Sequence, residues 1–425
     1  MQMEEGLVMD VKSGVIVSAN AGERARTLDK AALAQALRHS RERTLALFAA
    51  CESALGQELR VPCTAELNPP LWELGHIGWF ADWWITRNPQ REQGVAADPL
   101  VARTPARQAR RGVDADALYN SSEVPHDSRW QLRLPDAGAT RADLAECLQD
   151  TLTLLQQAPD TDEGLYFFRL ALFHEDMHAE AAVYMAQTLG FDPRDRSVRT
   201  PAADAPRPWP PRDLQIDAAH VRLGFDGPGF AFDNELGAHT VDVMDLHIDT
   251  HVVNWAQFLP FVESGSYCQP RFWSEPGRAW RQQQEKQVPR YLRQSADGVW
   301  EQQRWGQWGP IDPMAPACHL SFFEAQAWCQ WAGRRLPTEA EWIAASTQGG
   351  FVWGRVWEWT ASPFAPFAGF TPHPYRDYSQ PWFDGRPVLK GASTATAARM
   401  VHRQYRNYFT PERNDIFAGF RSVAI

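Results

Sequence analysis

Phe173-His174-Glu175-Asp176-Met177-His178-Ala179-Glu180 lies inside a long run of apolar residues at helical spacing. On a helix, residues four apart stand one turn above each other on one face, so His174 and His178 can reach a single cation. A third imidazole stands far upstream, in Trp72-Glu73-Leu74-Gly75-His76-Ile77-Gly78-Trp79-Phe80. If that segment packs against the first, three neutral nitrogens converge and half of an octahedron stays open. A structural zinc site is closed by a fourth protein ligand, so this donor set points to a metal that does chemistry. Glu175 and Glu180 do not share the face of the two histidines, which leaves them orienting or solvent-facing roles.

Outward from this segment, residues 31–55, the stretch that follows Pro69-Pro70 and carries His76, residues 142–157 and residues 164–189 read as helices. Leu33, Leu37, Leu45 and Phe48 recur at helical spacing after Asp29, a residue type suited to an N-cap. Prolines are tolerated in a first turn, and Gly190 is a C-terminal stop. Four helices with inward histidines on two of them is how bundles build metal sites. The stretch from about 90 to 135 is Arg/Pro-rich and irregular. Residues 197–212 are rich in Pro, Arg and Ala and read as an extended linker. Beyond it come short β-like runs, many Gly and Pro turns, and one clear helix at 322–332. The expected organisation is α+β: a four-helix bundle at 28–195, a linker at 196–213 and a second domain at 214–425, with 1–27 a flexible or capping extension.

A chain of 425 residues has room for two domains with real cores. A net charge of −10 argues against a general nucleic-acid or membrane-surface partner, leaving small molecules. Cys51, Cys63, Cys147, Cys268, Cys318 and Cys329 form no CxxC pair, which predicts reduced thiols and a cytoplasmic location. The first residues lack the basic start and apolar run of a signal peptide, and no window approaches eighteen consecutive apolar residues. The nineteen tryptophans cluster, most of them as expected core rings and the remainder as pocket walls. Aromatic faces attract cations without a carboxylate.

Three further stretches carry a resemblance. Gly333-Arg334-Arg335-Leu336-Pro337-Thr338-Glu339-Ala340-Glu341-Trp342, Val356-Trp357-Glu358-Trp359-Thr360 and Ile416-Phe417-Ala418-Gly419-Phe420-Arg421 resemble the formylglycine-generating-enzyme domain, a C-type-lectin-like fold. The N-terminal half, with His76 and the His174/His178 pair, resembles the DinB helical bundle. Joined in this order, the halves resemble the ergothioneine sulfoxide synthases and their relatives the selenoneine synthases, over about residues 30–425. The resemblance implies an iron(II), O2-dependent enzyme that joins a sulfur or selenium donor to imidazole C2 of hercynine, the trimethylated betaine of histidine. Its metal ligands would be His76, His174 and His178. Holding the reactants a few ångströms apart would replace a ternary collision by positioning.

The same resemblance places Asn407 at the hercynine carboxylate region and offers Tyr408, Tyr405 and Trp382 as aromatic walls for the quaternary ammonium. Departures from the family carry information. Lys390-Gly391-Ala392-Ser393-Thr394-Ala395-Thr396-Ala397-Ala398 lacks the two cysteines of the copper-dependent formylglycine-generating enzymes, which argues against formylglycine formation. Met177 stands where thiol-using relatives often have Gln. Phe370 falls at the position of their catalytic tyrosine, leaving Tyr375 and Tyr378 as candidate catalytic phenols. Phe409 replaces an Asp that can pair with a donor's amino group, and an apolar ring suits an uncharged sugar. Arg413 remains and could hold a carboxylate. These departures favour the selenoneine branch with a selenosugar donor. A sulfoxide synthase using cysteine or γ-glutamylcysteine, a non-redox DinB-type thiol transferase, and a binding protein with a vestigial metal are the competing readings. Arg334, Arg335, Glu339 and Glu341 read as an ion-pair network holding a loop-rich domain. Arg129 and Arg133 lie where relatives have donor-binding arginines, a match no better than a solvated role.

Overall fold

Asp29 accepts a hydrogen bond from the Ala32 amide (2.8 Å), satisfying one orphan donor at the start of a helix. The computed structural model describes residues 16–195, 197–198, 213–285 and 287–425. Its helical half contains α1 (Ile16–Ala25), α2 (Lys30–Leu55), α3 (Pro70–Ala81), α4 (Ala115–Tyr119), α5 (Ala137–Gln157) and α6 (Asp162–Leu189). Pro70 occupies the first turn of α3, and Gly190, with φ +78°, ends α6 as a left-handed cap. Helix α5 begins at Ala137 rather than at 142, because the Asp136 side chain caps the Ala139 amide (2.8 Å) ahead of the apolar periodicity. Helices α2, α3, α5 and α6 pack on one another around Leu33, Leu37, Phe80, Leu155, Phe167 and Leu172, all buried.

Most of the expected linker, residues 196 and 199–212, lies outside the described residues, as do residues 1–15 of the expected extension. The rest of that extension caps the second half of the chain. Helix α1 packs on the turn at Ala398–Met400, where a Cβ at Gly22 would sit 1.9 Å from the Val401 carbonyl oxygen. Just after α1, the buried Arg26 pairs with Glu235 at 2.6 Å.

The second half holds thirteen short strands among the described residues. The first are β1 (Asp213–Ile216), β2 (Ala219–Leu223), β3 (His239–Val243) and β4 (Leu246–Asp249). After α7 (Trp255–Glu263) and α8 (Glu275–Gln283) come β5 (Leu292–Gln294), β6 (Trp300–Arg304) and β7 (Gln307–Pro310). Then follow α9 (Phe322–Ala332), β8 (Arg334–Arg335), α10 (Glu339–Ser346), β9 (Trp357–Pro363), β10 (Pro387–Gly391), β11 (Asn407–Tyr408), β12 (Ala418–Gly419) and β13 (Val423–Ala424). The strands form sheets in the orders β1-β4-β13-β8 and β11-β10-β9-β12, a β2-β3 pair and a β5-β6-β7 meander. The mixed helix-and-sheet class is as expected. Large rings fill its core: Trp255, Trp342 and Trp359 are fully buried, and Trp342 donates to Glu358 (2.7 Å).

The expected Arg/Glu network is real but differently wired. Arg335 pairs with Glu341 (2.7 Å), whereas Arg334 reaches Asp213 and Asp249, and Glu339 holds Lys390 and Arg406. Partners outside the motif are set by sheet pairing, which the motif alone does not reveal. No disulfide links the six cysteines. Among the described residues no helix is long and apolar enough to cross a membrane.

Candidate metal centre

Helix α3 carries His76 and helix α6 carries His174 and His178, and one ring nitrogen from each lies within 4.8 Å of the others. His76 and His174 are buried, and His178 is partly open. The two faces meet because α3 and α6 pack directly against each other.

Neighbours set the proton positions. The Nδ1 of His76 stands 2.8 Å from the Tyr119 carbonyl, which can only accept, so Nδ1 carries the proton and Nε2 keeps its lone pair. The Nδ1 of His178 likewise faces Glu73 Oε2 at 2.5 Å. This leaves the Nε2 atoms of His174 and His178 at 3.2 Å. An Nε2 proton on His174 makes that approach a hydrogen bond; with the proton lost, the three nitrogens make a donor set that fits a divalent metal. Burial above all, with the nearby His178, pushes His76 down to about 3 and His174 well below the usual imidazole range. Burial would raise Glu73, but His178, His76 and Arg129 together hold it below the ordinary carboxylate range.

The rings are clamped on their outer faces. Trp72 stacks on His76 (4.8 Å between centroids, 9°) and Phe80 on His174 (3.5 Å, 3°). A Cβ at Gly75 would sit 2.3 Å from the Tyr119 ring, so a glycine here lets Tyr119 approach and aim its carbonyl at His76. Arg129 is half-buried, its guanidinium 3.9 Å from the Trp72 ring centre and bonded to Asn68 (2.9 Å), whereas Arg133 is exposed.

The carboxylates off the histidine face fasten α6 to its surroundings. Glu175 pairs with Arg41 (2.8 Å). Asp176 takes Ser40 and Arg399 at 2.9 and 2.7 Å. Glu180 accepts from Trp357 Nε1 (2.8 Å) and Ser393 Oγ (2.7 Å).

Met177, between the two histidines on α6, lines a cavity of about 120 Å³ together with Tyr184, Tyr405, Asn407 and Phe409. Tyr378 donates to Tyr405 (3.0 Å) and Tyr405 donates to the Met177 sulfur (3.4 Å). Tyr375 meets Phe80 edge-on (4.9 Å) and lies 6.3 Å from the His174 ring centre. Phe370 instead packs edge-on against Phe383 (5.0 Å), and among the described residues no ring of the three histidines pairs with it. Tyr408 stacks on Phe364 (4.0 Å) and donates to the Tyr378 carbonyl, so part of its ring is already covered. Trp382 is 40% exposed. Arg413 forms a two-pronged pair with Asp415 through Nε and Nη2 (2.6 and 2.7 Å) and lies over Phe409 at 5.0 Å, so a carboxylate already matches its charge.

The sequence reading missed Glu73, although its spacing of three from His76 puts both on neighbouring positions of one helix face. It also missed the Tyr119 carbonyl, and a backbone group leaves no signal in side-chain identities.

Comparison with known proteins follows the same division of the chain. The sulfatase-modifying factor enzyme 1-like domain matches residues 204–355. The hercynine oxygenase of Mycolicibacterium smegmatis is 30% identical over 445 aligned residues, covering 92% of this chain and 97% of that protein. The hercynine oxygenase of Mycolicibacterium thermoresistibile is 30% identical over 453, covering 92% and 94%. The formylglycine-generating enzyme of Bos taurus is 32% identical over 165 residues, covering 35% of this chain and 44% of that enzyme.

Proposed function

The chain belongs to the hercynine oxygenase family, and from that premise we propose that it is a hercynine-dependent carbon–chalcogen synthase. It would use iron(II) and O2 in the cytoplasm to form a carbon–selenium or carbon–sulfur bond at imidazole C2, with a selenosugar the favoured donor. The observation that carries this reading is the cluster of three imidazoles, one ring nitrogen of each within 4.8 Å of the others, with Nδ1 of His76 and of His178 held by the Tyr119 carbonyl and Glu73. When bound, iron(II) supplies one-electron chemistry toward O2 that a closed-shell ion such as zinc lacks.

The chain's own groups then do the following. The Tyr119 carbonyl and the Glu73 carboxylate hold the Nδ1 protons of His76 and His178 and fix both rings in orientation. Trp72 and Phe80 exclude water from the buried ring faces. Met177, Tyr405 and Asn407 line the cavity that takes hercynine, with Tyr405 as an aromatic wall for its quaternary ammonium and the Asn407 amide for its carboxylate. Tyr375 is the phenol beside His174 and Phe80 and is assigned the proton transfer, at its Oη. Tyr378 supports the pocket by donating to Tyr405.

Support for an uncharged donor comes from Phe409 and Arg413. The ring of Phe409 lines the cavity, and Asp415 already neutralises the arginine beside it. There the carboxylate of a cysteine or γ-glutamylcysteine donor would meet an arginine whose charge Asp415 already matches.

The test is aerobic incubation of the Fe(II)-loaded protein with hercynine and equimolar selenoglucose, thioglucose, cysteine and γ-glutamylcysteine, followed by mass spectrometry. A hercynine–selenosugar adduct is expected. A cysteine-containing sulfoxide would keep the enzyme class and overturn the donor. Product formed equally under strict anaerobiosis would reject the redox reading in favour of a thiol transferase.

A further inference from the structure

Ala179, Ala182 and Ala186 recur at spacings of three and four along α6, so they share one face, and their small side chains leave a trough in it. The facing helices do not fill the trough. With Leu47 and Phe48 of α2 and Ile77 of α3 it encloses a cavity of about 60 Å³ inside the bundle. His178 and Glu73 stand at one end. The half-buried Leu189, which also lines it, lies eleven residues further along α6, about 16 Å of helix. No residue lines both this cavity and the Met177 cavity.

The wall is apolar, and its polar groups are few. The Asn68 side-chain oxygen accepts from Arg129 (2.9 Å), and Glu73 holds His178 at 2.5 Å. Elsewhere the wall carries one hydroxyl and one thiol, Thr44 and Cys51. The Thr44 hydroxyl is buried and has no hydrogen-bond partner among the described residues. Burial pushes the Cys51 thiol up to about 12, so it stays uncharged. A buried water needs two to four polar partners, so the alanine trough stays dry, as apolar cavities do. Water takes about 30 Å³ in the liquid and dioxygen is close to it in size, so the cavity has room for about one or two such molecules.

From this geometry we propose that the cavity is a binding pocket for dioxygen, from which the gas reaches the three histidines. The inference rests on the synthase reading above, which makes O2 a substrate, and adds where that substrate is held. Dioxygen is small, uncharged and nonpolar. It gains by leaving water for an apolar wall and needs no hydrogen-bond donor there. An occupant at the inner end lies against His178, one side chain from the centre it serves.

The other two reactants do not suit this wall. A sugar or an amino-acid thiol would give up its hydration for alanine, leucine and phenylalanine side chains, and unpaired polar groups are costly out of water. No Lys or Arg lines the cavity among the described residues, so a carboxylate finds no cation there. Hercynine is assigned the Met177 cavity of about 120 Å³, which it occupies once bound. A separate apolar space on the α2/α3 side of α6 lets the gas be held while the polar substrates are in place.

The experiment reads dioxygen itself, which is paramagnetic, in the metal-free full-length protein. Methyl relaxation is measured by NMR under nitrogen and under oxygen pressure. The methyls of Leu47, Ile77 and Ala186 should relax at least fivefold more under oxygen than those of Leu155 and Leu172, which are fully buried in the same bundle. Ala182→Leu fills the trough, and Leu189→Trp fills its far end from a half-buried position, so the second serves even if the first fails to fold. Both should bring the excess down at least threefold and leave Co(II) binding within twofold. In the iron-loaded variants the KM for O2 should rise at least threefold, with kcat at saturating O2 and the KM for hercynine within twofold. No excess relaxation in the unaltered chain overturns the pocket. So does a shift of the same methyls on adding thioglucose or cysteine, which makes the space a donor site. An unchanged KM for O2 in a variant that has lost the excess overturns the supply role. Excess relaxation with no O2 uptake by the iron-loaded unaltered protein keeps the gas site and rejects the synthase reading, whereas O2 uptake without excess relaxation does the reverse.

Discussion

Glu73 touches no substrate in the proposed reaction, yet it decides which nitrogen of His178 faces the metal. Replacing it with glutamine keeps the shape and removes the negative charge from the Nδ1 proton. Loss of such an outer partner typically costs 10–100-fold in metal affinity, so Glu73→Gln is expected to weaken Co(II) binding by that order in a spectroscopic titration. Unchanged affinity would mean that Glu73 is a packing residue. Gly75 acts one step further out. A methyl group there meets the Tyr119 ring at 2.3 Å, within a packed core. Gly75→Ala should destabilise the fold by about 1–3 kcal/mol in denaturant titration and lower metal content, because the carbonyl that orients His76 must move. The spacing of His174 and His178 announced their shared face. The part played by Tyr119 could not be read, since any residue has a carbonyl.

Helix α6 shows how one element serves several partners at once. Its histidine face looks toward α3, while Glu175, Asp176 and Glu180 bind Arg41 of α2, Arg399 and the Trp357/Ser393 pair. Arg41 and Glu175 are both buried, so removing one partner leaves an uncompensated charge out of water. Arg41→Met is expected to cost about 3–5 kcal/mol in urea unfolding, and Arg41→Met combined with Glu175→Leu to recover most of it. A double variant as unstable as the single one would show that the pair's hydrogen bonds, including Arg41 to the Leu144 carbonyl (2.6 Å), matter more than its charge balance. Elements also show where local patterns mislead. The small residues Ala137-Gly138-Ala139 in the first turn of α5 concealed its start, and the tyrosine-position residue Phe370 ended up against Phe383.

At the scale of the whole molecule, buried polar links cross between the halves: Arg26–Glu235, Asp176–Arg399 and Glu180–Trp357, with the partly buried Glu66–Arg290 alongside. Links of this kind couple the two cores, since opening one half strands charges in the other. Calorimetry of the intact chain is therefore expected to give one cooperative unfolding transition rather than two. A divalent metal that binds only the folded chain should raise its stability by about 2.7 kcal/mol at a hundredfold excess over Kd. Two separate transitions, with only the first responding to metal, would show that the halves fold independently.

The linear sequence by itself determined the features that are periodic or contiguous. These are the apolar repeat of α6, the four-residue spacing of its histidines, the helical-then-β order of the chain and the motifs that carry the family resemblance. Each depends on a few neighbouring residues, and helix and strand periods write themselves into any sequence that buries one face. Tertiary packing decided what depends on residues meeting from distant segments. It brought His76 within reach of His174 and His178, aimed the Tyr119 carbonyl and the Glu73 carboxylate at their rings, and satisfied Arg413 with Asp415. It also set Tyr375 edge-on to Phe80 and beside His174, a meeting of the two halves that exists only in the folded chain. The physical reason is that side-chain identity sets what a group can bond, whereas which partner it bonds is chosen by the close packing of whole elements.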